Sequence, residues 1–187
     1  MFGQWSTLFR WLRRYLRSYG GFRGIAASPF FGIAIIISAL NYSQWVQPAW
    51  VEKVETFIPS LLGFSLGTYA ILFSIMTGRL KGALRQVNAP NGVSYLEAIN
   101  ATFFHFIFVQ VLSLIWAFLF QGTWLFDLVR LFEKTCPSIE AVFHISSRIG
   151  SFIGCFLLVY SILLMIAAAL AVYRLAMIKD PSEGAKE

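Results

Sequence analysis

Charge is what this sequence has least of. Only 13% of its 187 residues are Asp, Glu, Lys or Arg, against 58% hydrophobic, whereas a soluble domain carries about 25% charged residues. The deficit is concentrated. Four windows, 24–51, 56–78, 98–126 and 149–173, contain no charged side chain at all. Each is at least as long as the roughly 20 residues that cross a hydrocarbon core of about 30 Å. Helices of a soluble bundle need a polar outer face, and none of the four windows supplies one. Their apolar runs are continuous rather than alternating, which excludes barrel strands.

Other shortages narrow the chemistry. Apart from Glu97, the first residue of the third, no Asp, Glu, Lys or Arg falls within a predicted span, so the charges that pumps, proton-coupled carriers and voltage sensors use at depth are missing. H-E-x-x-H, G-x-S-x-G, a Cys/His ligand cluster and a phosphate-cradling glycine loop are all absent from the sequence. No catalytic residue, metal ligand or cofactor site is expected, and the chain reads as non-enzymatic. There are two cysteines, Cys136 in a predicted outer loop and Cys155 inside the last span. They lie at different depths, and bridged Cα atoms must approach within about 7 Å, so no intramolecular disulfide is expected.

What is present describes an all-α, polytopic membrane protein with four transmembrane helices. The predicted spans are 25–45, 57–77, 97–120 and 149–173, within a membrane domain over 24–178 that is followed by a polar tail, 179–187. The formal net charge of +6 is distributed asymmetrically. Arg10, Arg13, Arg14, Arg17 and Arg23 precede the first span; Arg79, Lys81 and Arg85 follow the second; Arg174, Lys179 and Lys186 follow the fourth. Only Lys53, Arg130, Lys134 and Arg148 occupy the other loops. The positive-inside rule then places both termini and the central loop in the cytoplasm. Basicity is here a topology signal. No nucleic-acid-binding pattern accompanies it, and no direct nucleic-acid partner is expected.

Residues 1–23 read as a basic amphipathic helix on the cytoplasmic face. At 3.6 residues per turn, Phe2, Trp5, Leu8, Phe9, Leu12, Leu16 and Tyr19 fall on one arc. Arg10, Arg13, Arg14 and Arg17 fall on another, as a surface for anionic lipid or for a cytoplasmic protein partner. The bundle's own underside is an alternative dock. With no acidic residue before Glu52, the segment also resembles a mitochondrial presequence. Gly20 and Gly21 supply a stop and a hinge. Tyr42, Trp45 and Trp50 form an aromatic belt at the outer end of the first span. Pro59 falls in the first turn of the second, where its missing N–H costs nothing. Ser94-x-x-Glu97 is a capping box that starts the third helix. A short outer interfacial helix is expected over 124–135, and the last helix is expected to run unbroken from 139 to 178.

Small residues recur on one ridge in two spans. The second span carries Ser60, Gly63, Gly67, Ala70, Ser74 and Gly78; the fourth carries Ser147, Gly150, Gly154, Ser161 and Ala168. Lipid is as apolar as leucine, so helices in a bilayer associate by close backbone approach, which such ridges permit. Either ridge can pack within one chain or between chains. The polar residues in the spans are few: Asn41, Asn100, Thr102, His105, Gln110 and Ser113. They serve as interhelical hydrogen-bonding glue or, alternatively, line a polar path at the axis of an oligomer.

These features fit a self-associating inner-membrane protein that acts on membrane integrity or anchors a cytoplasmic partner. The membrane component of a bacterial phage-defence or toxin-like system is one such role. A small-solute channel or transporter subunit is a second expectation. An accessory or assembly subunit of a larger bacterial or mitochondrial membrane complex is a third.

Overall fold

The computed structural model describes residues 2–124, 127 and 139–177. They form helices α1 (Phe2–Tyr19), α2 (Gly21–Ala26), α3 (Pro29–Leu40), α4 (Tyr42–Val46), α5 (Trp50–Ile75), α6 (Gly78–Gln86), α7 (Tyr95–Gln121) and α8 (Ile139–Ala176). Among the described residues no strand forms; one isolated bridge joins Asn88 and Ser94 ahead of α7. The expected interfacial helix over 124–135 lies outside the described residues except at Trp124 and Asp127, and Cys136 and the tail over 179–187 lie outside them entirely.

Among the described residues three helices are long and apolar enough to cross a membrane: Trp50–Ser74, Tyr95–Gln121 and Ala141–Ala176. At 1.5 Å per residue, the 38 residues of α8 reach about 57 Å, well beyond one hydrocarbon thickness. The segment expected to cross first, 25–45, is not one helix. It divides into α2, α3 and α4, and the apolar piece α3 has 12 residues, about 18 Å. Two residues explain the breaks. Pro29 has no N–H to continue α2 and pushes the residue before it out of helical geometry, so Ser28 is extended (φ −66, ψ 130). At the other end Asn41 turns its amide onto the Ile37 carbonyl at 2.9 Å and ends α3.

α5 also departs from expectation. It starts at Trp50, so Glu52, Lys53 and Glu55 belong to its first turns rather than to a loop. Pro59 is therefore interior to the helix, and the Glu55 carbonyl lacks an intrahelical donor. Both residues are exposed near the helix start, where the defect disturbs no packing. At the far end Lys81 Nζ donates to the Phe73 carbonyl at 2.9 Å, satisfying one of the orphaned acceptors of the last turn.

α7 is the central helix. It packs against α8, α5, α6 and α1, while α3 and α4 lie on α8. The pairs Gln121–Glu55 and Tyr69–Asn100 make α5 and α7 antiparallel. His105–Tyr160 and Trp116–Gly150 do the same for α7 and α8. One core cluster holds Phe103, Phe106, Val109 and Leu164 together with Ala34 and Leu72. The other is built on Trp50, Val54, Ile58, Ala117 and Leu158. Trp50 is not part of a surface belt. It is fully buried, and its indole N–H donates to Ser151 Oγ at 2.8 Å. Gly154 makes that possible: a Cβ there would overlap the Trp50 ring.

Candidate functional site

The most elaborate polar chemistry gathers where α1 meets α7. Gly20 and Gly21 both take positive φ, 102° and 71°, a conformation that side-chain-bearing residues rarely adopt. This reversal lets the C-terminal half of α1 lie against α7 instead of running on into α2. Tyr15 and Ser18 are buried there, whereas Trp5, Leu8, Phe9 and Trp11 near the start of α1 remain exposed. The amphipathic arc is thus divided along its length.

Three layers of contact hold the junction. At the rim, Arg14 Nε pairs with Glu97 Oε1 at 3.0 Å, and the Ser18 hydroxyl reaches the same oxygen at 2.8 Å. Asn91, in the turn before α7, donates its amide to the Ser18 carbonyl. Gly92 completes that turn with φ of 76°. Deeper in, the hydroxyl of Tyr15 bonds His105 Nδ1, and His105 Nε2 lies 2.9 Å from the hydroxyl of Tyr160 on α8. A neutral imidazole has one donor and one acceptor nitrogen, so the two tyrosines satisfy both. Around this chain the Tyr19 ring stacks 4.2 Å from the His105 ring, and Phe104 meets Tyr15 edge-on at 4.8 Å. Burial pushes the Tyr15 and Tyr19 hydroxyls above the usual tyrosine range, so both remain protonated donors at neutral pH.

Beside this junction lies an open groove of about 610 Å³, bounded by α1, α7, Tyr69 of α5 and Arg85 of α6. One wall is apolar, with Leu8, Trp11, Leu12 and Phe104. The other end carries Arg14, Arg85, Ser94, Glu97 and Asn100. Glu97 does only half of the capping-box work expected of it. Its N–H is taken by Ser94 Oγ at 3.2 Å, but its carboxylate turns to Arg14 and Ser18 rather than back to Ser94. An arginine and a serine from another helix outcompete the local backbone donor.

Of the basic arc, Arg14 alone forms an ion pair among the described residues; its guanidinium also lies 5.6 Å from the Trp11 ring. Arg10, Arg13 and Arg17 point outward and are exposed. The polar residues of the spans do not form one group. Asn41 caps α3 on the exposed side. Thr102 bonds back to the Ala98 carbonyl at 3.0 Å. Asn100 Oδ1 accepts from the Tyr69 hydroxyl at 3.1 Å. Gln110 is fully buried and accepts from Ser65 at 3.2 Å, leaving its amide N–H₂ without a partner among the described residues. Ser113, also fully buried, has no partner for its hydroxyl among them.

The two small-residue ridges differ. On α8, Gly154 faces Trp50 and Gly150 faces Phe120, with a Cβ at Gly150 meeting that ring at 3.4 Å. On α5, a Cβ at Gly63 or Gly67 would meet nothing within 4 Å. Ser60, Ala70, Ser74 and Gly78 on the same ridge are likewise exposed.

Tyr15, Ser18 and Tyr160 are not singled out by the sequence, whereas Arg85 stands there among the basic residues that follow the second span. The one signal of the first three is polar atoms at the edge of apolar stretches: Tyr15 and Ser18 flank the arc of α1, and Tyr160 interrupts an aliphatic run. Comparison with protein-family models, curated proteins and solved structures returns no match.

Proposed function

We propose that this chain is a non-enzymatic, four-span bacterial inner-membrane protein with both termini in the cytoplasm. It self-associates and acts on membrane integrity or anchors a cytoplasmic partner. The observation that carries the reading is the open ridge on α5. Glycines at i and i+4 in a span leave room for close approach, and among the described residues nothing fills that room at Gly63 or Gly67. A second copy offers the same small-residue surface and closes the contact symmetrically.

Further support comes from the path of the chain. α3, α5, α7 and α8 run alternately, and residues 21–46, though broken, are helical over most of their length. That is enough chain for a fourth crossing. At the second break the segment satisfies its own backbone: the Trp45 indole of α4 donates to the Ser38 carbonyl in the last turn of α3 at 3.1 Å. The axis of the single bundle is filled by Trp50, Ile58, Phe103, Gln110 and Leu164, so a conducting path needs several copies. Exposed Trp5, Leu8, Phe9 and Trp11, with the outward arginines, suit a helix seated at an anionic leaflet surface.

Topology is tested by reporter fusions. Fusions at Asn91 and at the C-terminus report cytoplasm, and one at Glu140 reports the outer side; an outer signal at Asn91 overturns the arrangement. Assembly is tested by native mass measurement of the chain in mild detergent and in nanodiscs, with multimers expected. A potential-sensitive dye after induced expression then separates the two modes of action, because only a pore depolarises cells by itself. A chain that is monomeric in both media refutes self-association.

A further inference from the structure

We propose that the groove between α1 and α7 is a binding site for one anionic phospholipid, its phosphate held by Arg14 and Arg85 and its acyl chain laid along Leu8, Trp11 and Phe104. The inference rests on the membrane reading above and deepens it, from a general surface attraction to a discrete site.

The hydrogen-bonding inventory of the groove is lopsided. Glu97, its one acidic residue, accepts from both Arg14 and Ser18 through Oε1, which leaves Oε2 as the one carboxylate oxygen of the groove without a hydrogen bond to a described residue. Arg14 uses only its Nε in that pair, so the terminal nitrogens of its guanidinium remain free to donate. Arg85 makes no hydrogen bond or ion pair with any described residue. Asn100 spends its carbonyl on Tyr69, which leaves its amide N–H₂ as a donor. The Ser94 oxygen accepts from Glu97 N–H, which leaves its own hydroxyl proton to give. Against that one acceptor, the unfilled capacity of this end is mostly donor, and two arginines against one carboxylate leave it net positive. Phosphate oxygens accept several such bonds at once, and guanidinium groups bind them in fork geometry.

The apolar wall selects a lipid over a free phosphate. Leu8 and Trp11 are 57% and 61% exposed, and Phe104 on α7 is 45% exposed. Phe104 lies seven residues beyond Glu97, about 10 Å deeper along α7. A headgroup at the arginines thus has its chain directed along Phe104 toward the hydrocarbon. Inorganic phosphate fills only the polar end and leaves these side chains facing water.

The test is native mass measurement of the purified full chain in non-ionic detergent. It is titrated with phosphatidylglycerol, with phosphatidylcholine of the same acyl chains, and with inorganic phosphate as competitor. One phosphatidylglycerol per chain is expected to be retained, with preference over phosphatidylcholine of about tenfold: both lipids offer a phosphate, but the choline cation brings like charge to the two arginines. Arg85→Gln removes no hydrogen bond or ion pair to a described residue and is expected to cut that preference severalfold; Leu8→Asn is expected to weaken retention of both lipids. The triple variant of Arg10, Arg13 and Arg17 to Gln keeps the discrete lipid, because those side chains lie on the outward arc. Equal retention of the two lipids, or an unchanged preference in Arg85→Gln, overturns the site. Displacement of phosphatidylglycerol by equimolar inorganic phosphate overturns the lipid assignment. The same spectra report the assembly state, so a failure of self-association is seen separately from a failure of lipid binding.

Discussion

The ridges on α5 and α8 have the same spacing and opposite surroundings. Gly150 and Gly154 sit beneath aromatic rings from α7 and α5, whereas Gly63 and Gly67 face open space. The difference teaches that a G-x-x-x-G pattern marks room for close approach without saying what approaches. On α8 the occupant is a large side chain of the same chain, Trp50, which is buried completely and anchored through its indole to Ser151. A glycine ridge can thus be a slot for a ring as readily as a seat for a backbone.

The strongest way to break the comparison is to empty the slot. Trp50→Ala removes the largest fully buried side chain and strands the Ser151 hydroxyl beside a cavity. Losses of this type cost about 3–5 kcal/mol in protein cores. Thermal unfolding in detergent is expected to fall sharply, with poor yield; a Trp50→Ala protein as stable as wild type sinks the assignment of Trp50 as the keystone of its core cluster. Gly154→Leu attacks the same contact from the other side. The added side chain cannot share the slot with the ring, and overpacking typically costs about 1–3 kcal/mol. Its signature is reduced stability with altered tryptophan fluorescence. Unchanged fluorescence means that the ring and the glycine do not meet.

A second contrast runs along α1, between its docked C-terminal half and its exposed N-terminal half. Tyr15→Phe keeps the ring packed on Phe104 but deletes the hydroxyl that meets His105, leaving one ring nitrogen unpaired in a buried setting. The expected cost is about 1–3 kcal/mol from the stranded group, toward the lower end because the edge of the site can admit water. Faster amide exchange across the second half of α1 is the measurement that follows it. Exchange equal to wild type places the latch elsewhere, at Arg14–Glu97 or in ring stacking. The matching change in the exposed half, Trp5→Ala, is expected to leave that exchange unaltered while weakening vesicle association of the helix.

Helix content and the three long apolar helices were legible in the sequence because charge-free length is a strong signal and needs no knowledge of partners. The N-cap at Ser94 was legible for the same reason: it is a local contact. Features that depend on a second helix were not. Trp50 lies among interface-type aromatics in the sequence, and only the slot at Gly154, about a hundred residues on, turns its ring inward. Pro59 reads as a helix start until α5 is extended back to Trp50 by packing of Trp50, Val51 and Val54 in the second core cluster. Glu97 fits the capping pattern, yet its carboxylate answers to Arg14 and Ser18. The first apolar window reads as one span by length alone, and hydropathy carries no record of the breaks at Ser28 and Asn41. Gly63–Gly67 and Gly150–Gly154 look alike in sequence because spacing records which residues share a face and not what that face meets.

The smallest effect on the fold is expected at the open ridge, and it is the most informative. Gly67→Leu places a bulky side chain where a Cβ meets nothing within 4 Å. No overpacking penalty arises within the chain, and leucine is a better helix former than glycine by up to about 1 kcal/mol. The monomer is expected to be as stable as wild type or slightly more so, with unchanged insertion. If α5 meets α5 of another copy, the same leucine separates the two backbones and removes the close contact on which association in a bilayer depends. Native mass in nanodiscs is then expected to shift from multimer to monomer while the melting temperature holds. Gly154→Leu is expected to do the reverse, lowering stability before it changes assembly. Loss of stability in Gly67→Leu requires an intrachain neighbour at this ridge, and an unshifted multimer moves the contact between copies to another face. Only the crossed outcome, stability lost on one helix and assembly lost on the other, keeps the two ridges in distinct roles.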